Sequence, residues 1–244
     1  MNTHCMKKEQ KRWLLVLSYA IAMAWVEAAV VFYLRTLGQH LAPELHDTAA
    51  LPPVPGLDSI EMVREAATLI MLWTVGMLAG DTWRSRWGYA AVAFGAWDIC
   101  YYLFLMVTCG WPNTPLDWDL LFLLPLPWWG PVLSPMLIAV LMIAWGSLAS
   151  QGEPFERPFR SEWRAWVICS LGMGVALYVF MEDALRAVRN GLDPFAIKAP
   201  TRFDWPVFVI GLGLMAAPVL HTAMQIRAAR ARRMPGGLQV DTTA

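Results

Sequence analysis

The sequence predicts an all-α, polytopic integral membrane protein: a six-transmembrane-helix bundle with a Pro-rich re-entrant or interfacial segment before helix four. Three observations carry that expectation. Hydrophobic residues make up 57% of the 244 and charged residues only 16%, with a mean hydropathy of +0.44, far from the balance of a soluble domain. The apolar residues fall into runs that supply the roughly 20 needed to cross a hydrocarbon core about 30 Å thick. Lysine and arginine gather in alternate connecting segments, as they do when basic residues are retained on the cytoplasmic side.

The six runs are 13–37, 60–80, 87–109, 120–149, 164–187 and 206–226, so the transmembrane domain covers 13–226. A basic cytoplasmic tail, 1–12, precedes it and a basic tail expected to be disordered, 227–244, follows. Lys7, Lys8, Lys11 and Arg12 stand before the first run, Arg84 and Arg86 after the second, Arg157, Arg160 and Arg164 after the fourth, and Arg227, Arg230, Arg232 and Arg233 after the sixth. That alternation places both termini in the cytoplasm and the chain in the cytoplasmic (inner) membrane. The first run has features of a secretion signal, including the small-residue triplet Ala22, Met23, Ala24. It continues well past that triplet, and an uncleaved helix completes the alternation.

The fourth run is longer than one crossing needs and contains prolines at 125, 127, 131 and 135. Proline removes a backbone donor and resists a helix interior. The helix is therefore expected from Pro131, with a kink at Pro135. The preceding residues are read as a segment that dips into the outer half of the membrane, or lies at its surface anchored by Trp118, Trp128 and Trp129. Continuous helix from Leu120 to Gly130 is excluded on this reading.

Ionisable residues inside the runs are the functional candidates. Asp98 lies near the middle of a run with no other charge, where an aspartate costs about 2.5–3.5 kcal/mol to insert, so it faces the bundle. Tyr101 and Tyr102, three and four residues on, share its face and are expected to bond to it. Glu27 stands about 21 Å up the first helix from Trp13. Glu61, Arg64 and Glu65 open the second run with spacings suited to internal ion pairs, and Glu182, Asp183, Arg186 and Arg189 close the fifth. The short likeness between "AWVEAAVVFY" and "AWDICYY" hints at repeated hairpins.

Asp98, Glu27 and Glu65 are the catalytic candidates. They are expected to meet in one outward-opening cavity roofed by the proline segment, where crowding keeps one of them protonated. Tyr101, Tyr102, Arg64, Glu182, Asp119, Trp118 and Trp128 are the candidate substrate-binding residues. Buried ion pairs that merely hold helices together are the structural counterpart of this reading.

No cofactor or metal is expected. Only His221 of the four histidines lies in a run, no CxxC pair is present, and the Walker A, GxGxxG and GxSxG patterns are missing. The loop histidines His40 and His46 are read as solvated. "RAARARRM" is a basic tail suited to anionic lipid rather than nucleic acid. Three function classes remain. The first is an acid/base enzyme acting without a cofactor on an apolar lipid or isoprenoid-like substrate, with carboxylates and aromatic rings stabilising developing positive charge. The others are a non-catalytic subunit or anchor in a complex with other membrane subunits, and a proton- or cation-coupled carrier.

Overall fold

The computed structural model describes residues 3–37, 57–122, 126–151, 163–194 and 202–233. The chain order is α1 (Thr3–Leu37), α2 (Leu57–Ala79), α3 (Trp83–Cys109), β1 (Trp118–Phe122), β2 (Trp128–Pro131), α4 (Leu133–Gln151), α5 (Trp163–Phe180), α6 (Glu182–Arg189), α7 (Trp205–Met215) and α8 (Ala217–Arg233). Among the described residues, six helical stretches are long and apolar enough to cross a membrane: Lys8–Leu34, Met62–Ala79, Trp83–Cys109, Leu133–Ser150, Trp163–Phe180 and Trp205–Ala228.

Helix α3 is the centre, packed against α1, α2 and α4. Its ends are sharply set. Thr82 caps it, accepting from the Ser85 amide at 3.2 Å while Ser85 Oγ accepts from the Thr82 amide at 3.0 Å. Gly110, in the left-handed region at φ 68°, ends it, a conformation that glycine adopts without a Cβ clash. Close approach to α4 depends on small residues: a Cβ on Gly95 would lie 2.6 Å from the Ala139 carbonyl oxygen, and one on Gly88 2.9 Å from that of Gly146. Helices in lipid associate through such backbone proximity, since apolar side chains gain little by leaving hydrocarbon. The same antiparallel register brings Tyr102 to Val132 in one buried cluster with Ala28, Leu105 and Trp111. Helices α5 and α7 form a second pair around Gly172 and Gly211.

At one end of the bundle, Arg12 pairs with Asp81 in the α2–α3 turn and the Trp13 indole donates to Ser147 Oγ near the end of α4 at 3.1 Å. The other end is closed by the antiparallel β1–β2 hairpin, in which Trp118 faces Pro131 and Asp119 faces Gly130. Its base is tied down: the amides of Val132 and Leu133 donate to the carbonyls of Asp117 and Pro115 at 2.9 and 2.8 Å. Asp117 in turn accepts from Thr114 Oγ1 and the Asn113 amide, both at 2.6 Å. Partial burial pushes its carboxyl up, but the bonds from Thr114 and Asn113 outweigh that and hold it below the usual range. The hairpin then joins the two halves of the molecule. Trp128 stacks on Phe180 of α5 at 6.5 Å and Trp118 meets Phe203, just before α7, at 6.0 Å.

Four expectations are corrected. The fourth helix begins at Leu133, because Pro131 is taken into the hairpin; Pro135 then falls in the first turn, where its missing donor breaks no intrahelical bond. The fifth run stops at Phe180, and Glu182, Asp183, Arg186 and Arg189 belong to the separate eight-residue α6. The sixth run is interrupted at Ala216, where Pro218 denies the next turn a donor. Helix also extends into both tails: α1 starts at Thr3, and α8 carries 227–233 as far as Arg233. His40, His46 and residues 234–244 lie outside the described residues. Leu120–Gly130 is non-helical wherever it is described, as the prolines require.

Candidate functional site

Helix α1 offers Glu27 to α2, where Arg64 and Thr68 stand one turn apart and so present to the same partner. Glu27 is 3% exposed. One of its oxygens accepts from the Thr68 hydroxyl and the other pairs with the Arg64 guanidinium. A carboxylate partner of Arg64 thus comes from α1. Glu65 and Tyr101 both lie within electrostatic reach of Arg64, while the side chain of Glu61 lies outside the described residues.

Asp98 belongs to a second group, at the α3–hairpin junction. Its Oδ2 is buried and has no hydrogen-bond partner among the described residues. Asp119 of β1, 8% exposed, lies within electrostatic reach of it. Asp119 Oδ2 accepts from the Tyr102 hydroxyl at 2.9 Å. The Tyr102 hydroxyl, expected to bond to Asp98, goes to Asp119, because the hairpin brings a second carboxylate to it. Trp111, 2% exposed, backs Tyr102 at 6.3 Å.

A run of rings joins the two groups: Trp97 stacks on Tyr101 at 6.0 Å, and Tyr101 meets Tyr102 at 5.2 Å. Tyr101 lies within electrostatic reach of Arg64, and Tyr102 of Asp98 and Asp119, so the rings link the two groups. Both oxygens of Glu27 are held by α2. Glu182 pairs with Arg186 inside α6. Beside it, burial pushes the Asp183 carboxyl up, against the pull of Arg186 and with the push of Glu182. Trp118 and Trp128 sit in the aromatic joint to α5 and α7 rather than with Asp98.

Sequence reasoning missed Thr68, Trp97 and Trp111. Thr68 was discoverable, being four residues from Arg64 on one helix face. Trp111 was not, because its position depends on how the chain turns after α3. No group of three or more metal-ligating side chains occurs among the described residues. Chemically, the arrangement sets a carboxyl with one oxygen unpartnered among the described residues within electrostatic reach of a second carboxyl steadied by a phenol. Comparison with protein-family models, curated proteins and solved structures gives no match.

Proposed function

We propose that this chain is a multi-pass inner-membrane enzyme with both termini in the cytoplasm, whose Asp98 transfers a proton to or from an apolar, lipid- or isoprenoid-like molecule. The β1–β2 hairpin is the interfacial or re-entrant roof of that site at the outer face. The observation that carries this reading is the free, buried Oδ2 of Asp98 beside Asp119. A carboxyl so placed costs free energy that helix packing alone does not repay, and intramembrane ionisable groups of this kind mark function. Asp119, fixed by Tyr102, is the neighbour that stabilises positive charge as it develops, and no metal or organic cofactor is required for proton transfer of this type.

A second reading, a non-catalytic subunit of a larger membrane complex, is favoured by one observation: Glu27 is fully satisfied by Thr68 and Arg64, as helix-joining groups are. The two readings part on what the purified protein retains. Mass spectrometry of the solubilised chain should find one class of apolar molecule bound in stoichiometric amount, and Asp98→Asn should keep it, because Asn preserves size while losing the titratable proton. Retention of partner proteins with ordinary bulk lipid would favour the subunit.

A further inference from the structure

We infer that the groove between α1 and α2 at the Arg12 end of the bundle binds one anionic phospholipid, with its phosphate among the basic residues there and an acyl chain lying along the groove. The groove encloses about 350 Å³; Leu15, Val16 and Tyr19 of α1 and Val75, Leu78 and Ala79 of α2 wall it, and Arg12 is its charged lining residue. Helices α1 and α2 each pack chiefly on α3 and not on each other, which leaves the furrow open. Leu15 and Leu78 are exposed, so it opens sideways onto hydrocarbon. Charge decides the occupant. Lys8 and Arg12 stand one turn apart on α1, and Leu15 and Tyr19 continue the same face, so a molecule following it passes from cation to hydrocarbon. Asp81 anchors Arg12 at this corner, and Arg86 reaches it through the bond from its Nε to the Gly80 carbonyl at 3.1 Å. Lys8 and Arg86 both act on Asp81 beside Arg12. The acids in reach of Arg12, Asp81 and Glu9, are fewer than these cations, and the exposed Lys11 adds to the excess. Trp83 and Trp87, exposed and in edge contact at 5.9 Å at the start of α3, mark the headgroup level on this side. A soluble anion would use the cations without the furrow, and a neutral lipid the furrow without the cations. An anionic phospholipid uses both.

The test uses the full chain purified in a nonionic detergent and read by native mass spectrometry. Phosphatidylglycerol and phosphatidylcholine with identical acyl chains are the paired probes, and glycerol phosphate is the headgroup alone. The chain should retain one phosphatidylglycerol at least about fivefold tighter than phosphatidylcholine, the scale that one net basic residue supplies at a membrane surface. Glycerol phosphate should bind at least about tenfold more weakly than the lipid, since it buries no acyl chain. Arg12→Gln should remove most of the preference. Asp81→Asn should increase it, because it takes away an acid and frees the Arg12 guanidinium. Arg164→Gln, exposed at the start of α5, should leave it unchanged. Equal retention of the two lipids by the unaltered chain overturns the inference without any variant having to fold. So does glycerol phosphate binding as tightly as the lipid, the mark of a plain anion site. A preference that falls alike in Arg12→Gln and Asp81→Asn overturns it by making the pair structural, and one that falls as far in Arg164→Gln reduces it to bulk charge. None of these outcomes touches Asp98, so this site and the proposed chemistry fail separately.

Discussion

At the scale of single residues, Glu27 and Asp98 behave as opposites. Glu27 is satisfied on both oxygens, so its removal breaks a buried ion pair and a buried hydrogen bond together; Glu27→Ala should destabilise the folded protein by about 3–5 kcal/mol, read as a lower denaturation midpoint in detergent. Thr68→Val, which deletes one neutral donor, should cost about 1–3 kcal/mol. Asp98 has no such bond to lose on Oδ2, so Asp98→Asn should leave the midpoint nearly unchanged. At the other end, the bond from Arg12 holds the exposed Asp81 carboxyl below its usual range. A carboxyl whose folded value is depressed contributes stability above its unfolded value, about 3.9. That contribution is lost as pH falls through the folded one. The small advantage of the unaltered protein over Asp81→Asn should therefore be present at neutral pH and vanish only in strong acid, as a pH series of thermal midpoints would register. Asp98 and Glu27 were legible in the sequence because a charge within an apolar run stands out. That Asp98 would answer to Asp119 and not to its tyrosines was not legible, since the hairpin between them has no periodicity that fixes its fold.

At the scale of elements, α3 is held by contact with backbone rather than by interlocking large side chains. Gly95→Leu would drive a side chain into the Ala139 carbonyl and the Ile143 side chain. It should separate α3 from α4, lowering the midpoint sharply and disturbing Asp98, whereas Gly174→Ala meets nothing within 4 Å and should be neutral or stabilising by up to about 1 kcal/mol. The hairpin is pinned on its α3 side by the Tyr102–Asp119 bond. Tyr102→Phe should therefore speed hydrogen exchange of the 117–131 amides while leaving α4 protected from Ala139 onward. The runs themselves were readable from hydropathy, and so was the failure of helix at the prolines. The breaks at Met181 and Ala216 were not: both sit inside continuous apolar or helix-favouring sequence, the first with no capping side chain and the second marked only by Pro218.

At the scale of the whole molecule, the start of α1, the α2–α3 turn and the end of α4 gather at one end, with the hairpin at the opposite one. Reporter fusions at the C-terminal tail and at 81–86 should be cytoplasmic, and fusions at 38–58 and 190–204 external; a C-terminus found outside would reverse the side from which the hairpin faces. The alternation of basic segments already put the start of α1, the α2–α3 turn and the end of α4 at one end, because retention of Lys and Arg acts on the whole chain rather than on one element. Tyr101 and Tyr102 join two groups of the candidates that the sequence named, and the proposed function assigns the chemistry to Asp98 and the helix joining to Glu27. The most direct measurement of that division is the lipid and isoprenoid profile of cells expressing the unaltered chain, Asp98→Asn, or Glu182→Gln at equal membrane levels. A product formed with the unaltered chain and with Glu182→Gln, and lost with Asp98→Asn, is the result predicted. Identical profiles from the unaltered chain and a well-folded Asp98→Asn would contradict it.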